Sequence, residues 1–125
     1  MKIEVSNGEI LDKISILEIK KARINSPEKL VNIEKELGEL LPLYGVLVTS
    51  DEVEKKYLEL KSVNEQLWDI EDDIREWEDR YYFGDKFVEL ARLVYITNDR
   101  RAKIKKDINL LSGSELIEEK SYKQY

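Results

Sequence analysis

The chain contains no cysteine and no histidine. The first absence removes disulfides, thiol nucleophiles and thiolate zinc sites. The second removes every Ser-His-Asp arrangement, every imidazole metal ligand and every imidazole general base. Any chemistry must therefore run on Asp, Glu, Lys, Arg, Tyr, Ser or a hard cation held by carboxylates. Glycine and proline are scarce, five and two in 125 residues, so few positions interrupt a helix. No apolar run approaches the roughly 20 residues of a membrane span, and the opening MKIEVSNGE lacks the basic-then-apolar layout of a signal peptide. A cytoplasmic protein without a membrane partner is expected. Neither a Gly-Lys-Ser/Thr phosphate loop nor GxGxxG occurs. The net charge of −6 also argues against nucleic acid, because phosphate neutralisation supplies most of that affinity.

What is present is charge and helical period. Charged residues make up 38% of the chain and hydrophobic ones 42%, a balance that fits long solvent-facing helices rather than disorder. Length and composition suit one domain over residues 1–125. Residues 1–5 read as a short strand or extended arm. Ser6 with Glu9 forms a capping-box pattern, so a first helix is expected from about Asn7 to Ile24. Ser26-Pro27 restarts the chain as N-cap and first helical position. Pro42 is expected to end or kink the second helix, leaving residues 43–50 ambiguous between a turn and a loop.

Thr49 with Glu52 marks the start of a long third helix reaching about Tyr81. Val53, Leu60, Leu67, Ile74 and Tyr81 recur every seven residues, and Val63, Ile70 and Trp77 fill the second core position. Four heptads of this kind make a coiled-coil-like seam. Gly84 breaks it, and Asp85 is placed to cap a fourth helix running to about Leu111, with Gly113 as its stop. Its expected core face is Phe87, Leu90, Ala91, Val94, Ile104, Ile108 and Leu111. Residues 51–80 hold twelve acids and five bases, whereas residues 85–111 hold seven bases and four acids. Opposite fields on the two helices favour their pairing. The fold class expected is an all-α helical bundle built on a long antiparallel helical hairpin, with a short N-terminal extended arm and a C-terminal tail anchored by Tyr122 and Tyr125. A seam this long also calls for a second chain over Trp77 and Tyr81, so a homo-oligomer is expected.

Polar residues break the pattern in one layer. On the third helix Asn64 and Glu71 sit beside the seam, with Lys61, Trp68 and Arg75 in the next row outward. On the fourth, Thr97, Asn98 and Arg101 interrupt the apolar face. Glu71 and Asn98 lie 13 residues before and 14 after Gly84, and so at one height in a hairpin. Three readings follow. In the first, the layer is self-satisfied, Glu71 pairing with Arg101 or Arg75, and the protein is a structural or adaptor element. In the second, Asn64, Trp68, Glu71, Arg75, Asn98 and Arg101 line a ligand site: Trp68 stacks on a ring, the arginines hold an anion, and the amides read ring edges. In the third, Glu71 is a general base or metal ligand acting on a phosphorylated or sugar-nucleotide substrate. The second is preferred, with a small anionic, ring-containing ligand of the nucleotide or nucleotide-sugar class and no resident cofactor or metal.

Other candidates carry less. Glu36-x-x-Glu39, Asp69-x-x-Asp72 and Glu76-x-x-Asp79 have the spacing of magnesium-binding pairs, but the last two fall on the outer face of the heptad, where no cleft gathers ligands. The basic run from Arg100 to Lys106 reads as a solvated face or as an anion site, joined in the latter case by Lys13, Lys20 and Arg23 of the first helix. Tyr81-Tyr82-Phe83 crowd the hairpin tip as a packed turn or self-association surface.

The strings VSNGEILDKISILE, LWDIEDDIRE, TNDRRA and GSELIEEKSY resemble a small bacterial and bacteriophage family without an established activity. Members of that family occur near glycosyltransferase and surface-polysaccharide genes. The resemblance covers almost the whole chain and supplies no catalytic residues. Its strings contain Asp12, Lys13, Glu18, Glu71, Arg75, Asn98, Asp99, Arg100, Arg101, Glu119 and Lys120. That overlap with the polar layer favours a pocket over a random surface. Were the chain phage-encoded, the ligand-site reading would mean sequestration of a host signalling nucleotide.

Overall fold

The computed structural model describes residues 1–121, which puts Tyr122 and Tyr125 outside the described residues. Four helices follow one another: α1 (Asn7–Arg23), α2 (Pro27–Leu47), α3 (Asp51–Asp79) and α4 (Asp85–Ser112). No strand occurs among the described residues, and residues 1–5 have no regular structure.

Local chemistry sets the helix ends. The Ser6 hydroxyl accepts from the Glu9 amide at 3.2 Å, satisfying one of the orphan donors of the first turn. The reciprocal half of the capping box is absent, because the Glu9 carboxylate meets Lys105 of α4 at 2.5 Å instead. Ser26 caps α2 with Pro27 in its first turn. Pro42 does not end α2, which continues to Leu47. Gly38 and Pro42 are both exposed, so the carbonyl that Pro42 leaves without a donor opens to solvent rather than to the core.

Ser50, not Thr49, caps α3, accepting from the Val53 amide at 3.2 Å. Val48 closes α2 through its amide on Tyr44, which leaves two residues for the turn and moves the cap one place on. Gly84 occupies the N-cap of α4 without a side-chain bond, and Asp85 is the first helical residue. There its carboxylate still faces the positive end of the helix dipole. At the other end Gly113 takes the left-handed conformation at φ 69°, which glycine adopts without strain.

The core lies where α1 and α2 cover the first half of α3 and the second half of α4. Leu11, Ile14, Leu17, Ile33, Leu37, Val53, Tyr57, Leu60, Val63, Ile104 and Ile108 form one buried cluster. The heptad seam is only partly core. Leu67, Ile70, Ile74 and Trp77 are half-buried, and Tyr81 is exposed. On α4, Leu90, Ile104 and Ile108 are buried, Phe87, Ala91 and Val94 half-buried, and Leu111 exposed.

The charges of α3 and α4 find partners on several elements. Across α3 and α4 an ion pair joins Lys56 and Asp107 at 3.4 Å, a base on the acidic helix meeting an acid on the basic one. Arg101 and Lys105 instead meet Asp12 and Glu9 of α1, and Lys106 meets Glu119 of the tail at 2.8 Å. Gly8 permits this approach. A Cβ there would stand 2.6 Å from the Lys105 carbonyl oxygen. The Gly8 amide donates to Asn109 Oδ1 at 2.6 Å.

Candidate functional site

The polar layer has a centre that sits on α1. Asp12 is 1% exposed. Its Oδ1 accepts from Arg101 Nε at 3.0 Å and from Asn64 Nδ2 at 2.9 Å, and its Oδ2 accepts from Arg101 Nη2. Lys105 Nζ stands 3.9 Å from Oδ2. Asn64 also donates to Ser15 Oγ at 2.8 Å, and that hydroxyl donates in turn to the Asp12 carbonyl. The forked Arg–carboxylate contact is the strong form of such a pair. The hydrogen bond to Asp12 raises the Arg101 guanidinium further above its already high range, against the opposing effect of burial. No buried side-chain polar atom lacks a partner among the described residues.

Beside this network lies a cleft of about 550 Å³ between α1, α3 and α4. Asn64, Trp68, Glu71, Arg75, Asn98 and Arg101 all line it, together with Ile16, Ile19, Leu67 and Asp72. Heptad register accounts for the gathering: 64, 68, 71 and 75 follow the 4-3-4 spacing of one helix face, and α4 brings 98 and 101 opposite them. The six residues have different states. Asn64 is buried and Arg101 has a side chain 29% exposed, and both are committed to Asp12. Trp68 and Asn98 are half-buried. Glu71 and Arg75 form an exposed pair at 3.4 Å, one helical turn apart.

Of the two partners considered for Glu71, Arg75 is therefore the one it meets, while Arg101 goes to Asp12. The Arg23 guanidinium lies 5.8 Å from the Trp68 ring centroid and is anchored by Asp69 at 2.5 Å. One side of the indole is thus covered by a cation.

Sequence reasoning missed Asp12 and Ser15 as members of the layer, and Asn109 as the partner of the Gly8 amide. A signal existed. Gly8, Asp12, Ser15 and Ile19 follow the 4-3-4 spacing of a single helix face, and three of the four are small or polar where core residues are expected. The acidic pairs of the outer heptad face, Asp69, Asp72, Glu76 and Asp79, are exposed, with Asp69 held by Arg23 and Glu76 by Arg80. No group of three or more metal-ligating side chains converges among the described residues.

Tyr57 is the most strongly perturbed group among the described residues. Burial foremost, and its hydrogen bond to Glu18 next, push its phenol far above the usual range. Tyr44 packs edge-on against it with centroids 5.0 Å apart.

No helix among the described residues is long and apolar enough to cross a membrane. Neither the curated proteins nor the solved structures contain a match to the chain. A family model does match, over residues 1–125. The chain belongs to the family of unknown function DUF6165.

Proposed function

We propose that this protein is a binding module for a small, anionic, ring-containing ligand of the nucleotide class, held in the cleft between α1, α3 and α4. The observation that carries the reading is the convergence of Asn64, Trp68, Glu71, Arg75, Asn98 and Arg101 on one cavity of about 550 Å³, a size that suits a drug-sized molecule. The roles divide by availability. Asn64 and Arg101 are held by Asp12 and stiffen the wall. Trp68 supplies the stacking face opposite Arg23, and Arg75 supplies the charge. Its present partner, Glu71, is an exposed i,i+4 neighbour, a pair worth about 0.3–0.5 kcal/mol, so an anionic ligand displaces it at little cost. Asn98 is placed to meet a ring edge.

In this reading α3 and α4 form an antiparallel hairpin. The contacts Lys56–Asp107 and Gln66–Arg100 support it, since the partner number falls as the first rises. The hairpin's outer end pairs with a second copy. The exposed Tyr81, Tyr82 and Phe83 support that step.

Calorimetric titration of the full chain with nucleosides and nucleotides tests the ligand reading. Trp68→Ala and Arg75→Ala are each expected to weaken binding while leaving the far-ultraviolet circular dichroism unchanged. Binding that ignores both substitutions, or no binding at all, would sink it.

A further inference from the structure

Arg101 and Ile16 line a second cavity as well as the cleft. It measures about 250 Å³, and Glu9, Asp12, Lys13, Leu17, Lys20 and Glu36 complete its wall. The two cavities are neighbours on adjacent faces of α1, with Arg101 as the post between them. From this geometry we propose that the ligand site has two compartments, a ring end at Trp68 and a phosphate end at Lys13 and Lys20. The ligand class is then an elongated nucleoside diphosphate. The inference rests on the ligand reading of the cleft and extends it.

Charge supports the assignment of ends. Glu9 is engaged by Lys105 at 2.5 Å, and both oxygens of Asp12 are engaged by Arg101. Of the carboxylates around the second cavity, Glu36 is the one with no ion pair to another described residue. Against it stand Lys13 and Lys20, neither of which pairs with a carboxylate among the described residues. Seven residues apart, they share a helix face and are separated by about 10.5 Å along the axis at the usual rise. Their flexible stems let the two ammonium groups meet the successive phosphates of a diphosphate chain, one each.

Arg101 contributes at the junction. Asp12 takes two of its five N–H donors. A phosphate passing the post therefore meets a guanidinium that is already fixed in place and fully charged. The compartments also differ in kind. The first offers aromatic and aliphatic walls from Trp68, Leu67, Ile16 and Ile19. The second offers ammonium groups on flexible stems, which suit a polyanion that is read as charge rather than shape.

The test is calorimetry of the full chain with adenosine, adenosine diphosphate and inorganic pyrophosphate, the uridine pair being run alongside. The diphosphate is expected to bind more tightly than its nucleoside by about tenfold, the worth of two partly exposed charge contacts. The double variant Lys13→Ala/Lys20→Ala is expected to bring the diphosphate down to the nucleoside's affinity and to leave the nucleoside unchanged. Glu36→Gln is expected to tighten the diphosphate alone, by removing the opposing charge. Trp68→Ala should weaken both. A double lysine variant that binds the diphosphate like the parent overturns the second compartment, and the ring cleft survives if Trp68→Ala still matters. If neither nucleoside series binds, the cleft reading and the two-compartment inference fall together.

Discussion

The two ends of the α3–α4 pair carry the same heptad pattern and come to opposite fates. At the end covered by α1 and α2, Val53, Leu60 and Val63 are at most 2% exposed. Farther out, Ile70, Ile74 and Trp77 occupy equivalent seam positions and remain half-buried. Between Glu65 and Ile96 the one buried side chain of the described residues is Leu90. Two helices can bury a narrow stripe against each other, but a sealed core needs further walls. The far end relies instead on ring contacts: Phe83 with Phe87 at 5.1 Å and Trp77 with Tyr82 at 5.2 Å. The cleft lies at the border, where the cover of α1 gives out and polar groups can be both ordered and reachable.

The largest effect should come from the covered end. Leu60→Ala removes a side chain that is 0% exposed and is expected to cost about 3 kcal/mol. Ile74→Ala, at the matching seam position of the open end, is expected to cost about 1 kcal/mol, since a half-buried side chain loses less contact. Equal shifts of the urea midpoint would break the comparison. Asp12→Ala belongs with the large effects. It strips a buried carboxylate from Arg101 and Asn64, for an expected loss of about 3 kcal/mol, read in the same urea experiment.

Gly8→Ala comes next. The added methyl meets the Lys105 carbonyl at 2.6 Å, so α1 must move away from α4, at an expected cost of about 2 kcal/mol. A stability unchanged from the parent would mean that the close approach of the two helices is not a constraint.

Tyr57 sharpens the contrast through pH. Its phenol is raised far above the ordinary value of 10.0, so above pH 10 the unfolded chain releases a proton that the folded chain keeps. Stability contributed by this group is whole below that pH and declines as pH rises beyond it. Tyr57→Phe is expected to flatten the alkaline decline and to cost about 1 kcal/mol at neutral pH through the lost bond to Glu18. Denaturant titrations from pH 8 upward check both.

The smallest effect belongs to the open tip. Tyr81 adopts a positive φ of 54°, a region disfavoured for residues with a Cβ. Tyr81→Gly is expected to gain a few tenths of a kcal/mol at most, since local strain relieved is partly offset by a freer unfolded chain. Thermal melts of the two proteins measure it.

Much of the fold was legible because it is locally encoded. Ser6, Ser26-Pro27 and Gly113 each mark a helix end by their own chemistry, and the structure puts the ends there. Pro42 left two outcomes open, an end or a kink, and the end does not occur: α2 runs on to Leu47, with Gly38 and Pro42 both exposed. The polar layer was visible as a violation of period at Asn64, Glu71, Asn98 and Arg101. Its true acid was not. Choosing Asp12 over Glu71 for Arg101 depends on how closely α1 approaches α4, which is set by Gly8 and Asn109 across 101 positions of sequence. No local period carries that information.

Native mass spectrometry of the freshly purified protein, beside its Trp68→Ala variant, tests the central claim most directly. The expected result is an adduct on the parent whose released molecule has an aromatic ring and a phosphate, with that adduct reduced or lost in the variant. A parent that stays bare when nucleotides are added, or an adduct equally retained without Trp68, would contradict the cleft as a ligand site.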